Sequence, residues 1–385
     1  MKTIMALMLF LTVSFNHVSS QENPCIYIDS LMKVQNYIVA KTMLTSCFEQ
    51  DTLQMDVLNN LALCQYLLGD YQMAVKYYQK LEHHEYYKND VIQKLAHIYE
   101  TQEDLPKAIK YNIALNKIFP LNPVYLRKLG SLYIRGNERN QARQCFQSAY
   151  NINKRDILTV YAMAEMYFEE DEVLSADSLL NEAWKIDSNN VSLGLLKSRI
   201  TYKKKDFITT SKVLQDLSFK TELSNSFKKM LGFSYIQIDS LDKAIHYLQA
   251  SLLHENHPEM ALFYLALAHE KKKEYDKAEW FYQEASKAGI SQNMSQYHAG
   301  LARVYTHQKA YKRVIQQYQK SLKYREDPEI YFYLANAAEQ IPQKGSVAIS
   351  YYRKYLDSGH QNKEWRMISK DRVKALKESE FMKKK

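Results

Sequence analysis

Along residues 90–190 the apolar and small residues return at a fixed interval. Ala108, Ala142 and Ala176 stand 34 residues apart, and each has the same surroundings. Twelve residues before them lie Ala96, Gly130 and Ala164; nine before, Tyr99, Tyr133 and Tyr167; thirteen before, Leu95, Leu129 and Met163. Leu95 and Tyr99 are four apart, so they share one face of a helix. The spacing predicts two antiparallel helices of about a dozen residues each, which with two short turns use up roughly 34 residues. The small residues predict a close crossing, because a side chain larger than a methyl group would push the two axes beyond about 8 to 10 Å.

The same interval extends backward to Ala74 and Ala40 and forward to Thr210, Ala244 and Ala278. Two extra residues enter near 289–294, after which the comb resumes at Val314 and Ala348. Ten repeats follow, from about Gln21 to Asn362. The facing small position is Ala, Gly or Ser in eight of the ten and fails at Ile28 and Asn336, in the terminal repeats, where one face meets solvent. Asp70, Asp104 and Asp206 stand where they can cap the second helix of their repeats, and Pro106 falls in a first helical turn. Pro120, Pro123, Pro258 and Pro328 punctuate joins between repeats.

Repeat six, residues 191–224, departs most from the pattern. Gly194 and Lys197 replace bulky apolar residues and Thr210 replaces the comb alanine. Sliding its first helix back by one residue would recover an apolar face from Leu193, Leu196 and Ile200 and lengthen the turn through Lys205. Drift in a tolerant middle repeat is the preferred reading, with a hinge or contact site as the other. Beyond Asn362, Trp365, Ile368, Arg372 and Leu376 continue at helical spacing and predict a helix that covers the apolar face of repeat ten.

The period of 34, with a small residue, an aromatic and a second small residue at fixed offsets, resembles the tetratricopeptide repeat. The resemblance implies an all-α fold, a right-handed α-solenoid of about ten helix-turn-helix repeats with a C-terminal capping helix over 363–385. It also implies that first helices of successive repeats line a concave face that takes a peptide or protein. Carried over residue by residue, this places Tyr66, Arg127, Arg135, Tyr161, Phe168, Arg199, Tyr202, Lys229, Phe233 and Phe263 toward the groove. Aromatics and arginines are the residue types that anchor interfaces. Tyr99, Tyr133, Tyr167, Tyr235 and Tyr305 are expected in the repeat core.

Composition agrees with an all-helical chain: 385 residues, 46% hydrophobic, with nine glycines and seven prolines. Lys2, the apolar run Ile4 to Phe15 and Val18-Ser19-Ser20 have the layout of a secretory signal, with cleavage expected before Gln21. The run is shorter than the roughly 20 residues of a membrane span, so no stable membrane insertion is expected after cleavage. Four scattered cysteines make neither a disulfide framework nor a metal-ligand pair. Cys25 and Cys47 fall on the two helices of the first repeat about one turn out of register, so buried thiols are preferred to a bridge. The formal charge is +9, and residues 363–385 carry nine basic against four acidic side chains, which argues against a basic nucleic-acid groove elsewhere.

No phosphate loop, HExxH, GxSxG or EF-hand motif is present, and no cofactor or metal is implied. The sequence therefore predicts a non-enzymatic interaction protein, exported to a bacterial periplasm or cell envelope, that binds a protein or peptide. The alternative is an envelope accessory protein whose groove aromatics stack on polysaccharide or peptidoglycan.

Overall fold

The computed structural model describes residues 28–50, 55–253, 255–289 and 293–382. Among these residues there are 21 helices and no strand. The proposed signal, Cys25, and the tail 383–385 lie outside the described residues. Contacts divide the chain into two compact units that part between Glu170 and Asp171.

The first unit contains α1 (Ile28–Lys33), α2 (Tyr37–Gln50), α3 (Met55–Leu67), α4 (Tyr71–Leu81), α5 (Lys88–Thr101), α6 (Leu105–Ile118), α7 (Pro123–Arg135), α8 (Arg139–Ile152) and α9 (Ile157–Glu169). The second contains α10 (Val173–Ile186), α11 (Val191–Lys203), α12 (Phe207–Ser218), α13 (Asn225–Gln237), α14 (Leu241–Ser251), α15 (Glu259–Lys271) and α16 (Tyr275–Ala288), followed by α17 (Met294–His307), α18 (Tyr311–Tyr324), α19 (Pro328–Glu339), α20 (Gly345–Asp357) and α21 (Lys363–Met382). In each unit consecutive helices pack against one another as a run of hairpins. This is the architecture of an α-solenoid, in which no hairpin can bury its apolar face alone.

The period is written in the backbone. Residues with positive φ recur at Gln35, Gly69, Glu103 and Asn137 in the first unit, and at Asp171, Lys205, Asp239, Lys273, Lys309 and Gln343 in the second. Each left-handed residue follows a first helix, and in most repeats the next amide reaches back five residues; after Gln343 the Lys344 amide reaches back three, to Ile341. Thus Asp70 donates to the Gln65 carbonyl at 2.9 Å, Glu138 to Tyr133 at 2.8 Å and Asp206 to Thr201 at 2.9 Å. These Schellman closures satisfy carbonyls that the helix end leaves free. The side chains of Asp70, Asp104 and Asp206 then accept from the amides of Met73, Lys107 and Thr209 at 3.1–3.2 Å and start the second helix.

Small residues close the hairpins. Ala40, Ala74, Ala108, Ala142, Ala176, Thr210, Ala244, Ala278 and Ala348 are fully buried, as are Ala62, Ala164, Ser198, Ala266 and Ala302 opposite. Asn336, in the last repeat, is accommodated because its Oδ1 accepts from the Tyr352 hydroxyl at 2.6 Å. At the C-terminal end, α21 lays Trp365 flat on Phe332, with centroids 4.6 Å apart, and Ile368, Val373 and Leu376 pack against the core of the last repeat. Arg372 of α21 holds Glu339 through Nε at 3.0 Å.

Two expectations are corrected. The first helix of repeat six does not slide: α11 begins at Val191, 34 residues before α13, and its turn keeps the left-handed residue at Lys205. The register holds because Ser198 remains at the small crossing position and Thr201 and Thr210 meet there through hydroxyls 2.9 Å apart. Cys47 is disulfide-bonded rather than a buried thiol, whereas Cys64 and Cys145 are free.

Candidate partner-binding site

In the first unit, the candidate side chains on α3 and α7 are held by neighbours from adjoining repeats. Tyr66 meets His97 of the next first helix, hydroxyl to Nδ1 at 3.1 Å, and Lys94 stands 4.9 Å from its ring centroid. Arg127 is largely covered and lies 3.6 Å from Asp156, which precedes α9. Arg135 turns the other way and is 3.4 Å from Glu103. Tyr161 donates to Glu165 on its own helix at 3.1 Å, and Phe168 is half-buried. The sequence did not single out Glu100, which accepts from Lys128 at 3.1 Å and from the buried Asn112 amide at 2.7 Å.

In the second unit the aromatic candidates come together. Tyr202 of α11 and Phe233 of α13 have centroids 5.9 Å apart, and Phe233 lies 4.7 Å from Tyr264 of α15. Phe207, at the start of α12, touches both Tyr202 and Phe233 edge-on at 5.7 and 5.8 Å. Tyr202 and Tyr264 share a hydrogen bond, and burial pushes both hydroxyls above the ordinary tyrosine pKa. All four rings remain partly exposed. Lys229 pairs with Glu255 at 3.1 Å, and Arg199 lies half-buried on α11. Phe263 is corrected: it is 7% exposed and packs between Tyr282 and Tyr297, with centroids 6.0 and 5.0 Å away, so it belongs to the core.

Two site features escaped the sequence reading. Tyr264 and Phe207 complete the aromatic group, and Tyr264 could have been found from the diagonal it forms with Tyr202 and Phe233, each set back three positions from one repeat to the next. Arg303 of α17 grips Glu270 of α15 with Nε and Nη2 at 2.7 and 3.0 Å, while the Tyr282 hydroxyl donates to the same carboxylate at 2.5 Å. Such a forked pair fixes two first helices side by side.

Comparison with known proteins bears on the repeat. The tetratricopeptide repeat family matches residues 230–295, and a second tetratricopeptide repeat family matches residues 56–84. The matches support the tetratricopeptide repeat. Over 164 residues, 41% of this chain, the sequence is 26% identical to anaphase-promoting complex subunit CDC16 of Saccharomyces cerevisiae, and the match spans 20% of that protein's length. A tetratricopeptide repeat protein from Parabacteroides merdae is 13% identical, with 65% of this chain and 98% of that one covered and a TM-score of 0.45. A chain of the APC/C hetero-tetramer Cut9–Hcn1 is 14% identical, with 93% and 77% covered and a TM-score of 0.45.

Proposed function

We propose that this chain is a non-enzymatic scaffold that binds a protein or peptide on the first-helix face of its tetratricopeptide repeats. The observation that carries the reading is the row of partly exposed rings Tyr202, Phe233 and Tyr264, taken from three consecutive first helices and in mutual contact. Rings braced against one another lose little freedom on binding and offer a large apolar area with hydroxyls at its edge. Charged side chains along the same face, Lys229 with Glu255 and Arg303 with Glu270, would orient the partner more than attract it. We further propose export to a bacterial envelope, on the layout of residues 1–20.

Protein recovered from its native envelope tests both parts. Its first residue should lie near Gln21, and an intact Met1 would contradict export. A partner captured with it is then titrated calorimetrically against the wild type, Phe233→Ala and the surface control Lys154→Ala. Phe233→Ala should weaken binding by about 2 kcal/mol, as interface hot spots do, with helicity unchanged. Affinity within about 0.5 kcal/mol of the wild type, the scale of ordinary surface changes, would remove the aromatic row from the binding surface.

A further inference from the structure

Repeat six places a lysine where its neighbours bury a leucine. Lys197 corresponds to Leu231 and Leu265, which are fully buried. Its ammonium is half-buried, 4.7 Å from the centroid of Trp184, and donates to the neutral Asn181 Oδ1 at 3.2 Å. Among the described residues no carboxylate lies within 4.0 Å of it, because Asp177, whose charge reaches it, is held by Lys204. An ammonium withdrawn from water with no carboxylate in contact is costly, and burial holds the Lys197 pKa below the ordinary lysine value against the more distant charge of Asp177.

The lysine opens onto a cleft of about 600 Å³ beside α10 and α12. Trp184, Val213 and Leu217 give it an apolar wall, and Phe219 stands exposed at its edge. Lys212 and Lys220 join Lys197 in the lining, against one aspartate, Asp216. Among the described residues, Lys220 is engaged by a neutral amide, Asn189 Oδ1, at 2.8 Å, and by no carboxylate. On the first-helix face of the same unit the cations are matched instead: Lys229 with Glu255, Arg303 with Glu270. Unmatched positive charge is thus gathered in a half-apolar cleft of the size that takes small ligands, about 300 to 1,000 Å³.

We infer that this cleft binds a small carboxylic acid with an apolar body, its carboxylate set against Lys197 and the neighbouring lysines and its chain against Trp184, Val213 and Leu217. The site is separate from the first-helix face and does not depend on a partner binding there. The carboxylate supplies a contact that Asp177, paired with Lys204, does not make with Lys197, and the apolar wall distinguishes such an acid from a free inorganic anion.

The test titrates the full chain by calorimetry with octanoate, with 1-octanol of the same chain length, and with the peptide acetyl-Leu-Glu-Leu-amide. Octanoate should bind saturably, and octanol at least about tenfold more weakly, the loss expected when a charge-assisted hydrogen bond is removed. Lys197→Leu restores the residue of the neighbouring repeats, so the fold is kept, and octanoate affinity should fall about tenfold or more. Lys220→Ala should weaken it about threefold, as a more exposed charge does. Absence of saturable octanoate binding, octanol binding as tightly, an unchanged affinity in Lys197→Leu, or binding of the peptide in place of octanoate would each overturn the inference.

Discussion

Repeat four, α7 with α8, and repeat six, α11 with α12, lie in different units and share a backbone plan. Both first helices have 13 residues, and both end at a left-handed residue, Asn137 at φ 60° and Lys205 at φ 61°. Their interiors differ. In repeat four Gly130 faces Phe146 so closely that an added Cβ would stand 2.6 Å from the ring, and Ala142 is fully buried. In repeat six the buried crossing is polar: the Thr201 and Thr210 hydroxyls meet, Thr210 also donates to the Asp206 carbonyl at 2.7 Å, and Ser198 donates to that of Leu195 at 2.7 Å. Each hydroxyl has a partner, so this polar interior is tolerated. The contrast teaches that turn and crossing hold the register, while side chains around the crossing are free to vary.

The largest effect expected from breaking that plan is at the apolar crossing. Ala142→Leu should destabilise the chain by about 1 to 3 kcal/mol through overpacking, whereas Lys154→Ala, on the surface, should stay within about 0.5 kcal/mol. Urea unfolding of the two variants decides it. Equal effects would mean that small residues do not set the contact.

Legibility in the sequence followed the strength of the physical constraint. Ala108, Ala142 and Ala176 were readable because a close helix crossing admits little else, and the cap around Trp365 because an exposed apolar end needs cover. Repeat six misled because Gly194 and Lys197 break the apolar pattern, yet the left-handed turn at Lys205 and the Thr201–Thr210 contact keep the register without it. Side-chain neighbours were harder. Phe263 sits at the offset of Lys229 and Tyr161, but Tyr297 from the following repeat covers it, and offsets within one repeat carry no record of the next. Arg127 and Arg135 share a helix face and yet turn to Asp156 and Glu103, on opposite sides, because ion pairing chooses among long rotamers.

A second difference between the regions concerns acid. Repeat four has no histidine, whereas the second unit buries His269 and His298. His269 faces Glu274, Lys272 and Lys277 and stacks on Phe281; His298 faces Gln317 and Lys320 and stacks on Tyr324. Burial pushes both imidazoles below their ordinary pKa, and for His269 it outweighs the hydrogen bond to Glu274, whose own pKa is held at about 2, chiefly by Lys277. The native state therefore binds protons less readily than the unfolded one. The stability from these two sites is present above the ordinary histidine value of about 6.5 and is lost as pH falls through the lowered folded values. Hydrogen exchange at pH 7.5 and 5.5, corrected for the intrinsic rate, should show α15 and α17 losing protection at the lower pH while α7 and α8 keep theirs. Equal losses in both regions would contradict the assignment.

The most direct test of the account is the stability of Lys197→Leu against the wild type in urea, without added ligand. If repeat six shares the plan of its neighbours and carries Lys197 for a purpose other than packing, replacing a half-buried ammonium by the leucine of Leu231 and Leu265 should stabilise the chain by about 1 kcal/mol. A loss of stability would show that Lys197, through Trp184 and Asn181, holds the repeat together, and would contradict the account.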